Sequence, residues 1–190
     1  MSRKTTKTSK KRIGFAITGS FCTFHRAKAA IAELVGKGYD VFPVMSFNAA
    51  GINTRFGAAA EHIAELRDIT GNDVIRTIED AEPIGPQSMF DLMVIAPCTG
   101  NTAAKLAIGI TDTPVTMAVK SFIRGGNAAK VLVAMSTNDA LSGAAKNIGL
   151  LSNMKPYYFV PAEMDDPVNK PFSLVADFSR IGAIADTLLG

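Results

Sequence analysis

The sequence predicts a single doubly wound α/β domain built on a parallel sheet. Three observations predict it. The apolar runs Ile13-Gly14-Phe15-Ala16-Ile17-Thr18 and Leu92-Met93-Val94-Ile95-Ala96 lack the alternation of half-exposed strands, as strands covered on both faces do. Such runs alternate with segments of helical spacing. A chain of 190 residues is long enough for one such core.

Ile13 to Thr18 is the first strand, followed by the turn Gly19 to Thr23. Phe24 to Val35 repeats apolar residues at Ala27, Ala30, Ile31 and Leu34, a helical stripe, and Gly36 and Gly38 end it. Tyr39 to Met45 is the second strand, which completes a βαβ unit. The polar stretch from Ser46 to Phe56 reads as a long loop. Gly57 to Ile69 is helical, Asp73 to Asp80 a short helix, and Ala81 to Phe90 a loop with two prolines. The strand beginning at Leu92 is expected to stop at Pro97, with a helix from Thr102 to Ile108. Pro114 to Ile123 is a helix capped by Asp112 or Thr113. Lys130 to Ala134 is a strand, Met135 to Leu141 its exit loop, and Asp139 to Leu151 a helix. Tyr157 to Val160 is a last short strand. A proline-containing loop runs to Pro171, and Ser173 to Leu189 closes the chain as a helix. No linker or repeat divides it, so residues 12–190 read as one domain behind a basic flexible tail over residues 1–11.

Ligands of open α/β sheets bind beyond the carboxyl ends of the strands. Two loops there carry suitable chemistry. In Pro97-Cys98-Thr99-Gly100-Asn101-Thr102, Thr99 and Thr102 bring hydroxyls and Gly100 allows close backbone approach. The helix start adds free N–H groups, a composition suited to phosphate. In Thr18-Gly19-Ser20-Phe21-Cys22-Thr23, Ser20 and Thr23 suit a mononucleotide phosphate or simply cap the helix. The turn is not G-x-G-x-x-G, and the second strand ends in Ser46 rather than an acid, so the features of a nicotinamide dinucleotide site are missing. Arg55 is either a clamp for a carboxylate or a solvated side chain. In Ser136-Thr137-Asn138-Asp139, either Ser136 or Thr137 caps the following helix, or Asn138 and Asp139 hydrogen-bond a ligand ring edge. Cys22 and Cys98 are reactive thiols at helix starts or small apolar fillers. His25 and His62 are general bases or ordinary surface and core residues. No catalytic residue is assigned.

Composition narrows the classes. The formal charge is +3, and Arg3, Lys4, Lys7, Lys10, Lys11 and Arg12 supply the excess, so no basic stripe is left for nucleic acid on the body. No run approaches the roughly 18 apolar residues of a membrane span, and no secretory leader is evident. A cytoplasmic protein with free cysteines is expected. Two cysteines and two histidines, widely spaced, make no metal pattern.

The G-S turn, the P-x-x-x-N-T loop and the A-M-S-T-N loop together resemble the flavoprotein family that includes phosphopantothenoylcysteine decarboxylase, lantibiotic cysteine decarboxylases and flavin prenyltransferase. Longer strings resemble its dipicolinate synthase B-subunit branch: Thr54-Arg55-Phe56-Gly57, Ala81-Glu82-Pro83-Ile84-Gly85-Pro86 and Ser136-Thr137-Asn138-Asp139-Ala140-Leu141, with Asp165-Asp166-Pro167 near the end. The resemblance implies a flavodoxin-like (Rossmann-like) three-layer fold and an FMN pocket. Its cofactor-binding residues would be Gly19, Ser20, Phe21, Thr23, Ser46, Thr99, Gly100, Asn101 and Thr102, with Met135 against the ring. It further implies oxidation of dihydrodipicolinate to dipicolinate, an NADP-binding A subunit of dipicolinate synthase as partner, homo-oligomers, and a small dicarboxylate held by Arg55 and Asn138. Where the family's decarboxylases carry a catalytic histidine, this chain has Pro83, and no cysteine follows Cys98 to serve a decarboxylase flap. Oxidative cysteine decarboxylation is therefore not expected. The alternatives to a subunit engaged in the oxidation are a non-catalytic module of the same fold that stabilises the A subunit, or a decarboxylase with another base such as His25 or His62.

Overall fold

A computed structural model describes residues 10–126 and 128–190. Most of the predicted basic tail lies outside the described residues. The chain alternates strand and helix as β1 (Arg12–Ile17), α1 (Phe24–Gly36), β2 (Asp40–Met45), α2 (Phe47–Gly51), α3 (Ala59–Thr70), α4 (Ile78–Ala81), β3 (Leu92–Cys98), α5 (Gly100–Ile108), α6 (Pro114–Gly125), β4 (Val131–Thr137), α7 (Ala145–Ser152) and β5 (Tyr157–Phe159). The strands β6 (Ala162–Asp166) and β7 (Lys170–Ala176) and the helix α8 (Ile181–Leu189) complete it.

β2, β1, β3, β4 and β5 pair in that order and all in parallel. β6 and β7 form an antiparallel hairpin, and β7 joins β4 through Ser136 opposite Val175 and Thr137 opposite Leu174. Both faces of the sheet are covered. Phe15, Val94 and Leu132 pack with Ile31, Leu34 and Ile181 on one side. Met93, Ile95 and Val133 pack with Val115, Val119 and Phe122 on the other. Adjacent residues of one strand thus serve opposite cores, and this is why the strands read as unbroken apolar runs. Each fully buried aliphatic or aromatic side chain of this kind contributes about 1.5–3 kcal/mol.

Several expected boundaries shift for identifiable reasons. Ser46 caps α2 by accepting from the Ala49 N–H at 3.3 Å, so the long second loop contains a helix. Ile75 is extended and donates its N–H to the Pro43 carbonyl, which delays α4 until the Thr77 cap. β3 continues through a cis Ala96–Pro97 bond to Cys98. Asp139 to Ala144 is a run of turns, and only from Ala145 does α7 begin. The expected loop up to Pro171 is the β6–β7 hairpin. Its turn is held by the Asp166 carboxylate, which accepts the N–H groups of Val168 (3.2 Å) and Asn169 (3.0 Å). β7 then occupies Ser173 to Ala176, so the closing helix is limited to α8.

No helix among the described residues is long and apolar enough to cross a membrane.

Candidate functional site

The strand order places a crevice between β1 and β3. The chain leaves β1 toward β2 on one side and returns to β3 on the other, so the loops beyond the two strands diverge, and such switch points receive ligands. Thr18 fastens the crevice floor. Its hydroxyl donates to the Pro97 carbonyl at 2.8 Å and accepts the Thr99 N–H at 3.0 Å.

Above that floor lie two clefts sharing Gly19, Thr99 and Asn101. The larger, about 710 Å³, is lined further by Ser20, Phe21, Gly100, Arg55 and Asn138. The smaller, about 370 Å³, holds Ser46 and Thr102 with the Lys105–Asp112 ion pair at 2.7 Å. The first volume lies within the roughly 300–1,000 Å³ of small-molecule sites. Ser20 and Asn101 therefore share one cleft, whereas Ser46 faces its neighbour.

Each wall has a local cause. Thr99 caps α5, and its hydroxyl accepts the Thr102 N–H at 3.3 Å. The N–H groups of Gly100 and Asn101 have no hydrogen-bond partner among the described residues, and neither do those of Gly19 and Phe21. Such unpaired amides at a helix start and a tight turn favour an anion. Ser20 meets Ser136 Oγ to Oγ at 2.8 Å. Arg55 stands on a tight turn in which Thr54 and Gly57 exchange both main-chain hydrogen bonds at 3.1 Å. Its guanidinium lies 4.9 Å from the centre of the Phe56 ring. Asn53 holds the turn to α3 by accepting the Ala59 N–H at 2.9 Å. The hairpin closes the far wall with Lys170, Asp165 and Ser173, and Leu141 N–H ties it to the neighbouring loop by donating to Phe172 O at 3.0 Å.

Two expected residues point elsewhere. Met135 is buried in the core opposite Cys98, because β4 alternates and Val131, Val133 and Met135 face that layer. Thr23 is buried and donates its hydroxyl to the Ser20 carbonyl at 2.8 Å, so it shapes the turn without lining a cleft. Gly100 lines the cleft with its main chain, while its Cβ direction is filled by the protein itself. A Cβ there would meet Asp139 Oδ1 at 2.7 Å and Thr137 Oγ1 at 2.9 Å. Ser136, Asp165 and Lys170 are cleft residues for which the sequence offers no ligand role, whereas Asp139, read there as a contact to a ligand ring edge, lines the cleft as well. Ser136 and Asp139 stand in a string legible as a possible contact, whereas the hairpin residues give no such signal.

The remaining titratable groups divide plainly. Burial pushes the Cys98 thiol up to about 12, which leaves it a core filler, while Cys22 is exposed on the cleft edge. His25 is exposed on α1 away from both clefts. His62 is buried, 5.0 Å from the Phe24 ring centre, with Nδ1 3.0 Å from Lys28 Nζ. Burial first, then the Lys28 charge, holds the His62 pKa below its ordinary value.

The sequence matches the family described as Flavoprotein over residues 1–188. The chain belongs to the flavoprotein family. Among its flavoprotein relatives, the B subunit of dipicolinate synthase from Bacillus subtilis (strain 168) is 48% identical over 166 residues, covering 87% of this chain and 82% of that one. The crystal structure of the dipicolinate synthase B subunit from Bacillus halodurans C superposes with a TM-score of 0.84 at 38% identity, covering 94% of this chain and 91% of that one. Burkholderia xenovorans DmrB in complex with FMN shares the fold, with a TM-score of 0.69 at 20% identity over 96% of this chain and 97% of that one. A mostly parallel sheet with helices on both faces is the flavodoxin-like arrangement these flavoproteins have in common.

Proposed function

We propose that this chain is the B subunit of a dipicolinate synthase, which oxidises dihydrodipicolinate to dipicolinate during sporulation together with an NADP-binding A subunit. One observation carries the reading: Arg55 and Asn138 line the same cleft as the anion-receptive amides at Gly19, Gly100 and Asn101. The 48% identity to a B subunit over 87% of the chain supports it.

The donor set fits the phosphate of FMN. Unpaired N–H groups on two loops and the hydroxyls of Ser20 and Thr99 surround one crevice, with no opposing carboxylate on those loops. Bound flavin would supply a two-electron hydride acceptor. This chain's own residues have other tasks. Arg55 pairs a ring carboxylate through its planar fork. Asn138 offers donor and acceptor groups to the second carboxylate or the ring nitrogen. The Arg55 turn and the loop after β4 bring those groups to one cleft, so that the flat ring is oriented rather than merely bound. A homo-oligomer in contact with the A subunit, in the cytoplasm, completes the proposal. The FMN-bound DmrB of the same fold, described as a cubic protein cage, supports both the cofactor and the assembly.

The test mixes the chain with its nicotinamide-binding partner, NADP and dihydrodipicolinate, and follows product absorbance with and without added FMN. Product formed only when both chains are present is expected. No product from the complete mixture overturns the reading. Arg55→Ala is expected to weaken dipicolinate binding in calorimetry by at least about 1.5 kcal/mol, and an unchanged affinity removes Arg55 from the site.

A further inference from the structure

Four charged side chains line the larger cleft: Arg55, Asp139, Asp165 and Lys170. Asp165 and Lys170 pair with each other at 2.6 Å. Asp139 has no ion-pair partner among the described residues. It is nevertheless held firmly. Its Oδ1 accepts the Thr137 hydroxyl at 2.5 Å, and its carbonyl accepts the N–H groups of Ser142 (3.0 Å) and Ala144 (3.1 Å). Gly100 leaves just enough room for the carboxylate, since a Cβ there would lie 2.7 Å from Oδ1.

A fixed carboxylate without a counter-ion opposes the binding of a dicarboxylate, because like charges repel across a cleft. The reaction explains its presence. Conversion of a dihydropyridine ring to an aromatic ring removes one hydride and one proton, and a hydride acceptor takes only the first. We propose that Asp139 is the proton acceptor of this dehydrogenation, an inference that rests on the dipicolinate synthase reading. The hydrogen of one ring C–H bond leaves with both bonding electrons as hydride to an oxidised flavin or nicotinamide. The adjacent ring C–H bond breaks the other way. Its electron pair forms the new ring double bond, and its proton passes to the Asp139 oxygen that Thr137 does not occupy. Water then takes the proton and restores the carboxylate.

The experiment uses Asp139→Asn, which keeps size and an oxygen acceptor for Thr137 while removing the charge. In the complex reconstituted with the partner chain, kcat should fall at least about 100-fold, within the usual range for loss of a general base. Dipicolinate affinity of the chain itself, measured by calorimetry, should be unchanged or tighter, because a repulsive charge is gone. Asp139→Glu keeps a carboxylate and should recover at least about tenfold of the lost kcat relative to Asp139→Asn. A merely structural Asp139 would weaken dipicolinate binding along with kcat and show no rescue by Glu, and that pattern overturns the proposal. So does an Asn variant that turns over within about threefold of the wild type. Wild-type complex that makes no dipicolinate overturns the synthase reading as well, whereas an active wild type with an equally active Asn variant overturns the role of Asp139 alone.

Discussion

The hydroxyls of Ser20 and Ser136 lie 2.8 Å apart although 116 residues separate them along the chain. The bond joins the turn after β1 to the end of β4, and both residues line the larger cleft. Ser136 is buried, so its hydroxyl has little access to water as a substitute. A double-mutant cycle of Ser20→Ala and Ser136→Ala should therefore give a coupling of about 0.5–1.5 kcal/mol in urea unfolding. Simple additivity would show that the two loops are not held together by this contact.

Gly100→Ala should destabilise the protein by about 1–3 kcal/mol, the range for forcing a group into packed space. The added methyl would collide with Asp139 Oδ1 and Thr137 Oγ1, at 2.7 and 2.9 Å. Pairing it with Thr137→Gly should return part of that loss. A Gly100→Ala protein as stable as wild type would mean that the Asp139 turn yields freely.

His62 links stability to pH. Its pKa is lowered in the folded state from the ordinary 6.5, so the unfolded chain binds the proton more tightly. Stability is then full above about pH 6.5 and declines as pH falls through the folded value. His62→Gln should flatten the change in thermal midpoint between about pH 7 and pH 5. An unchanged slope would assign that dependence to other groups. The ring also packs against Gly57, where φ is +131° and a Cβ would lie 2.7 Å from His62 Cε1. Gly57→Ala should consequently disturb the turn that carries Arg55, through backbone strain and collision together.

Thiol labelling should separate the two cysteines. Cys22 is exposed and should react in the native protein. Cys98 is fully buried with its pKa pushed up to about 12, and should react only on unfolding. Two equivalents of label at native pH, with the fold intact, would contradict the packing around β3.

The site is legible in part. Gly19, Ser20, Thr99 and Asn101 stand out because hydroxyl, amide and glycine residues gather at helix starts directly beyond buried strands. Met135 faces the core against expectation because a strand buried on both faces shows no alternation, so its residues do not reveal which neighbour faces the crevice. Ser46 sits at the expected strand end, yet its cleft depends on how α2 turns away from β2.

The α/β class, the three apolar strands β1, β3 and β4 and the two polar loops that follow β1 and β3 are written in local sequence, because burial on both faces and helix-start chemistry show in adjacent residues. The β6–β7 strand pair does not. Asp165, Asp166 and Lys170 are polar and Pro167 and Pro171 break propensity, so the short apolar stretch Phe172 to Val175 does not by itself mark a strand pair. The pairing of β7 with Ser136 and Thr137 on β4 supplies the missing main-chain partners, and a contact between segments so far apart in the chain has no signature in either one.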